Sequence, residues 1–219
     1  ICAFEAVLKD WTNEVGWMVA GGDKEKQKHF VTQMAGKQLI AIGISSIVIS
    51  LLLAAPIRRR GWKTTALLVP SVLFIGGFLF FGTIKGSSYL QSMGWDKSTV
   101  YFVVLYVGVG VVVITKSGKY VFFDSTTNGA YGPLSSEAKR TGKSAVDGVG
   151  ARAGKAGGST VMLSLQGLTG LNSLGLKWVV AVMMLIGCAI WISAVLKLDV
   201  ILSGAKEPKK TDKLVDKSV

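Results

Sequence analysis

The chain has 219 residues, of which 50% are hydrophobic and only 17% are charged, and its mean hydropathy is +0.47. Such a composition lies outside the ordinary soluble range when the apolar residues fall in long runs, as they do here. The formal net charge of +12 is spread over the connections between apolar runs and the tail. That distribution excludes the single basic face of a nucleic-acid-binding domain.

Six stretches are predicted to cross a lipid bilayer, because a hydrocarbon core of about 30 Å needs roughly 20 apolar residues per helix. The first begins without methionine, and we interpret it as part of a helix whose start is missing. The fifth contains Gln166, Asn172 and several glycines, so by itself it also fits a re-entrant or buried helix, but its place between two spans favours crossing. In chain order the predicted spans are 1–17, 38–57, 64–84, 99–115, 160–176 and 178–196.

Lysine and arginine are divided unequally between the two sides of the predicted bundle. If the spans alternate, the loop 58–63, the connection 116–159 and the tail from 197 share one side, which holds 17 of the 25 basic residues. The positive-inside rule assigns that side to the cytoplasm or its equivalent. Residues 203–219 are polar and charged, and we predict a disordered tail there.

Side chains with acid–base or metal chemistry are sparse in this sequence. The single histidine, His29, lies in a polar stretch, and the two cysteines, Cys2 and Cys188, lie far apart in apolar stretches. No Ser/His/Asp or Cys/His set and no metal-ligand spacing occurs in the sequence. We therefore predict that the protein is not an enzyme and uses neither a metal nor another cofactor.

The connection 116–159 is long for a link between packed helices, which indicates a functional or disordered segment. Its residues 150–156 resemble a Walker A loop, but the glycines are one residue too close and Ala156 stands where Mg²⁺ needs a hydroxyl ligand. A phosphate site at the start of the next span is one interpretation, in which glycine amides and Lys155 bind the anion. The other is a closely packed helix start whose lysine reaches the membrane interface.

Four runs in this connection, in a fixed order, carry a resemblance to a known family. They are Lys-Tyr-x-x-Phe-Asp at 119–124, Ala-Tyr-x-Pro-Leu at 130–134, Gly-Lys-x-Ala-x-Asp at 142–147 and Gly-Lys-Ala-Gly-Gly at 154–158. Upstream, the segment 4–7 is similar to a glutamate-bearing stretch in the family's seventh helix, and Gly61-Trp62 followed by Pro70 fits its next loop and helix. Over about residues 1–200, the chain resembles the ATP/ADP-exchanging nucleotide transporters of plastids, chlamydiae, rickettsiae and microsporidia.

The resemblance implies an all-α transmembrane fold, namely a major-facilitator-like helical bundle of which residues 1–202 form the C-terminal six-helix half. It implies ATP:ADP exchange by alternating access, with other nucleotides and phosphate as further candidate substrates. The implied partners are the lipid bilayer and the N-terminal half of the same protein. The implied location is the inner envelope membrane of a plastid or the inner membrane of an intracellular bacterium. A nucleotide/proton symporter of the same family and a non-transporting membrane scaffold or assembly protein are the alternatives.

Anionic nucleotides need cations in their path, and an ionisable residue at membrane depth is a functional hypothesis by default. The resemblance aligns the family's essential glutamate with Glu5 and its essential lysine with Lys155. Lys155 would contact phosphate, and Glu5 would pair with a cation or sense the substrate, unless Glu5 pairs with Lys9 one helical turn away. The other basic candidates for substrate binding are Lys116, Lys119, Lys143 and Arg152. The same residues would also be expected if they only set the orientation of the helices in the membrane. Asp124 and Asp147 are candidates for salt bridges that gate the path.

Overall fold

The computed structural model describes residues 2–59, 61–123 and 135–206, and within these ranges the chain is helical apart from short turns. The helices are α1 (Cys2–Ala20), α2 (Lys24–Leu52), α3 (Ala54–Arg59), α4 (Trp62–Ser92), α5 (Lys97–Gly118), α6 (Ser136–Lys143), α7 (Ala151–Thr169) and α8 (Lys177–Lys206). Two π-helical segments extend this set: Lys119–Phe123 continues α5, and Ser144–Gly150 joins α6 to α7.

Four of the described helices are long and apolar enough to cross a membrane: Lys24–Leu52, Trp62–Ser92, Lys97–Phe123 and Lys177–Ile201. The prediction of an all-α transmembrane bundle is therefore confirmed. The helices α1 and α7, of 19 residues each, are not among these four.

The second helix begins well before the predicted span 38–57. Asp23 caps it, because its carboxylate accepts hydrogen bonds from the backbone N–H groups of Glu25 at 2.9 Å and Lys26 at 3.3 Å. A carboxylate at a helix N-terminus satisfies otherwise unpaired amides and offsets the positive end of the helix dipole. The polar residues 24–37 are therefore helical, although no apolar run marks them, and the helix ends at Leu52.

Much of the connection predicted between residues 116 and 159 is also helical, since α5 and its π-helical extension reach Phe123 and α7 begins at Ala151. The helix α7 ends at Thr169, whereas the predicted span covered 160–176. Gly170 ends it with a left-handed backbone, at φ 69°, a conformation that glycine adopts without steric cost. Residues 124–134 and 207–219, and with them Asp124 and most of the predicted tail, lie outside the described residues.

Aromatic contacts fix the start of α1 against α4. The ring of Phe4 meets Phe80 and Phe81 edge to face, with centroid separations of 4.8 and 6.0 Å, a geometry that aromatic pairs favour. Two turns further along α1, the indole N–H of Trp11 donates a hydrogen bond of 3.1 Å to the carbonyl of Tyr101 on α5. These contacts hold α1, the helix that carries Glu5, at a defined position in the bundle.

Candidate functional site

A cavity of about 320 Å³ opens between α1, α2 and α5. Its walls differ in chemistry: α1 and the end of α5 supply charged and polar groups, and most of the remaining lining is apolar. A cavity of this kind, mostly apolar with a few placed polar groups, is typical of a small-molecule site. The polar lining residues are Glu5, Lys9, Thr12, Gln38 and Lys116, and the apolar ones are Leu8, Val31, Met34, Ala35, Leu39, Ile42 and Val109.

An ion pair joins two distant parts of the chain in the wall of this cavity. The Oε1 atom of Glu5 lies 3.0 Å from the Nζ atom of Lys116, and the two side chains are 32% and 28% exposed. That oxygen is buried and receives no aligned hydrogen bond from the described residues, so the interaction is an ion pair at contact distance. The structure thus brings together two of the predicted substrate-binding residues.

Glu5 and Lys116 come from different helices: Glu5 lies on α1, and Lys116 lies near the end of α5, just before its π-helical extension. Next to Lys116, the buried hydroxyl of Ser117 donates a hydrogen bond of 3.2 Å to the carbonyl of Ile42, which ties the end of α5 to α2.

Lys9 also lines this cavity, whereas the sequence suggested it only as a partner for Glu5. The structure pairs Glu5 with Lys116 instead, and the Lys9 side chain is exposed while lining the same cavity. The cavity therefore holds two ammonium groups and one carboxylate, a formal charge of +1. Its α1 wall was detectable from spacing, because Glu5, Lys9 and Thr12 recur on one face of a helix.

The other predicted basic residues are not in the lining of this cavity. Lys119 follows on the π-helical extension of α5, where its ammonium lies 5.9 Å from the ring centroid of Tyr120. Lys143 ends α6, and Arg152 and Lys155 are exposed on α7. Asp147 lies in the π-helical segment before α7.

The glycine-rich run around Lys155 is helical. Helix α7 begins at Ala151 and is continuous with the π-helical segment before it, so the run 154–158 lies inside a helix and does not form an open amide loop for an anion. An added Cβ at Gly154, Gly157 or Gly158 would meet nothing within 4 Å. Among the described residues, these glycines therefore serve no close packing.

The fold and the cavity define a multi-pass α-helical membrane protein with a charged cavity between its helices. The chain belongs to the TLC ATP/ADP transporter family, whose sequence profile matches residues 17–201. That match includes the motif run of the connection, and it confirms the family expected from those motifs.

Individual relatives agree with the family assignment. The chain is 36% identical over 157 residues to ADP,ATP carrier protein 2 of Chlamydia pneumoniae, a match that covers 70% of this chain and 29% of the relative. It is 31% identical over 186 residues to ADP,ATP carrier protein 4 of Rickettsia prowazekii (strain Madrid E), covering 84% of this chain and 36% of the relative. The chain therefore spans about a third of the length of these relatives. No solved structure gives a significant match.

Proposed function

We propose that the full-length protein exchanges ATP for ADP across a membrane by alternating access, and that the cavity with Glu5, Lys9 and Lys116 forms part of the nucleotide path. The observation that carries this proposal is the ion pair between Glu5 and Lys116 at 3.0 Å in the cavity wall. Membership of the TLC ATP/ADP transporter family and similarity to relatives named ADP,ATP carrier proteins support it.

A polyphosphate can replace Glu5 as the partner of Lys116. Charge-assisted hydrogen bonds from an ammonium to phosphate oxygens are about twice as strong as neutral ones, so a nucleotide entering the cavity competes for the Lys116 ammonium. Lys9 adds a second ammonium beside it. Because an unpaired charge at membrane depth is costly, a lysine that exchanges one anionic partner for another remains compensated in both states.

The apolar side of the cavity suits the rest of the nucleotide. Met34, Leu39 and Val109 face the same volume as the charged wall, and ligand sites commonly combine an apolar lining with a few orienting polar groups. We propose that this side contacts the nucleoside. Other nucleotides and phosphate would use the same cations, so they belong to the proposed substrate range.

Basic residues outside the cavity are proposed to form the entrance. A cluster of cations raises the local concentration of an anionic substrate, which is the role proposed for Lys119, Lys143, Arg152 and Lys155. Asp124 and Asp147 are proposed as gate partners for these cations. The exposed face of α7 would then meet the N-terminal half of the protein, which with this chain would form a major-facilitator-like bundle that encloses the path.

For the location we propose the inner membrane of an intracellular bacterium or the inner envelope membrane of a plastid. The relatives compared above come from Chlamydia and Rickettsia, which supports the bacterial membrane.

The test is uptake of labelled ATP by vesicles that contain the full-length protein, with and without ADP inside. Exchange requires internal ADP, and we expect uptake to fall at least about tenfold in Lys116→Gln, because a charge-assisted contact is worth roughly 1.5–3 kcal/mol. Lys97→Gln is the matched control, since Lys97 begins α5 at the opposite end from Lys116. Uptake independent of internal ADP would indicate a symporter. No uptake of any nucleotide would indicate a scaffold or assembly protein.

A further inference from the structure

A second cavity lies between α4 and α8 and has a different character. It is a groove of about 400 Å³, and Lys85 is the one charged residue among the described residues that line it. The rest of the lining is apolar or aromatic, including Phe78, Phe81, Trp178 and Val182. The groove shares no lining residue with the cavity that contains Glu5.

Two glycines shape this groove. At Gly77 the helices touch, because the Met184 side chain from α8 occupies the space that a Cβ would take. At Gly82, further along α4, an added Cβ would meet nothing within 4 Å, so the groove remains open there. Beside it, the rings of Phe81 and Trp178 are 6.5 Å apart between centroids.

The groove runs along membrane-spanning helices and ends at the membrane interface. Both α4 and α8 contain stretches that are long and apolar enough to cross a bilayer. The apolar stretch of α4 stops next to Lys85, and that of α8 starts at Trp178. Lysine ammonium groups and indole rings both favour the level of the lipid headgroups. The polar end of the groove is therefore at headgroup depth, and the apolar part extends into the hydrocarbon.

We propose that this groove binds one anionic phospholipid, with an acyl chain along Phe78, Phe81 and Gly82 and the phosphate on Lys85. The acyl chain gains little by moving from surrounding lipid into an apolar groove, so the affinity must come from the headgroup and from the shape of the site. Lys177, next to Trp178, adds a second positive charge at the same end and favours a net negative headgroup over a zwitterionic one. This site is independent of the proposed nucleotide exchange.

The experiment is native mass spectrometry of the full-length protein, purified in detergent and incubated with equal amounts of phosphatidylglycerol and phosphatidylcholine. We expect one retained phosphatidylglycerol per protein. Lys85→Gln should reduce its retention about fivefold, the effect of roughly one cation at a membrane surface. Gly82→Leu should abolish it by filling the open groove, with little cost to folding because its Cβ meets no other atom within 4 Å.

Two matched variants separate this site from general lipid binding. Gly86→Leu places the same side chain on α4 at another open position outside the groove lining, and Lys97→Gln removes a lysine from the same side of the membrane. Both should retain the lipid. Equal retention by all four variants, equal retention of the two lipids, or no lipid on the unmodified protein would each overturn the proposal. Lipid retention is measured without transport, so the result tests the lipid site independently of nucleotide exchange.

Discussion

The two residues that the family resemblance marks as essential lie in different surroundings. Glu5 is in the wall formed by α1 and α5, and Lys155 is on the exposed helix α7. Glu5 is held within a packed wall, where it pairs with Lys116 at 3.0 Å. Lys155 is exposed on α7 among glycines that contact nothing nearby. Glu5 is therefore part of a packed cavity wall, whereas Lys155 lines no such cavity among the described residues.

A conspicuous sequence motif and a packed cavity therefore need not lie at the same place in one part of a protein. The glycine-rich run is the more recognisable pattern, yet an added Cβ at Gly154, Gly157 or Gly158 would meet no described residue within 4 Å. A single glutamate with little local signature is the residue that the tertiary packing places in a cavity. The N-terminal half of the protein is the proposed partner for α7.

The largest expected effect comes from reversing the charges of the ion pair. In the full-length protein, Glu5→Lys or Lys116→Glu places like charges in direct contact, and we expect ATP uptake to fall about a hundredfold. This is somewhat less than the free energy of breaking a deeply buried ion pair would give, because both side chains are partly exposed. The double reversal should recover at least about tenfold of that loss. A double variant no better than either single one would contradict the pairing.

A smaller effect, on stability, is expected at the contact that positions α1. A Cβ at Gly108 would lie 2.5 Å from Leu8 Cδ1 and 2.6 Å from Phe80 Cε2, so Gly108→Ala should overpack the core and lower the free energy of unfolding by about 1–3 kcal/mol. Thermal unfolding of the purified protein measures this. Gly110→Ala on the same helix is the control, since its Cβ meets nothing within 4 Å, and equal unfolding temperatures for the two variants would refute the packing argument.

Lys155→Ala sharpens the contrast between the two regions. Because Lys155 is exposed, its removal should leave the unfolding temperature unchanged, while uptake falls roughly tenfold if the lysine meets phosphate in the assembled protein. Lys139→Ala, at another exposed position in α6, should change neither quantity. A lowered unfolding temperature in Lys155→Ala would show that α7 has a structural contact there.

The smallest effect is expected at Asp96, which caps α5 far from the cavity. The hydroxyl of Ser98 and the backbone N–H groups of Ser98 and Thr99 donate to its carboxylate, and these bonds, led by that of the Ser98 hydroxyl, lower its pKa below the usual 3.8. A carboxyl with a lowered pKa stabilises the folded state above its unfolded pKa, and the stabilisation is lost as the pH falls through the folded value.

Thermal unfolding between about pH 5 and pH 3 tests this cap. Asp96→Asn keeps an acceptor at the cap but removes the titration, so its unfolding temperature should change slightly less over that range than that of the unmodified protein. Uptake of ATP near neutral pH should be the same for both. An identical pH dependence would mean that Asp96 contributes nothing measurable.

Hydropathy was sufficient to predict the helical membrane class, because runs such as 64–84 and 99–115 lie entirely within described helices. It does not mark the start of α2, where the Asp23 cap begins the helix in polar sequence, or the end of α7, where Gly170 stops it. Both outcomes depend on local capping chemistry that an average over apolar residues does not detect.

The site was only partly predictable from the sequence. The resemblance and the cost of a charge at membrane depth selected Glu5, and local spacing offered Lys9 as an alternative partner. In the structure its partner, Lys116, comes from the far end of another helix. Only tertiary packing brings Glu5 and Lys116 together. For the same reason the sequence could not show that Lys155 and Lys116 belong to different surfaces of this chain.

The most direct test of the central claim, that nucleotide occupies the cavity with Glu5, Lys9 and Lys116, is protection of a cysteine by ADP. In full-length protein cleared of other cysteines, Gln38→Cys places a thiol in the cavity lining, and Gln33→Cys places one at an exposed position of α2 outside it. If nucleotide occupies the cavity, ADP slows the labelling of position 38 by a charged thiol reagent and leaves the labelling rate of position 33 unchanged. Equal labelling of position 38 with and without ADP would contradict it.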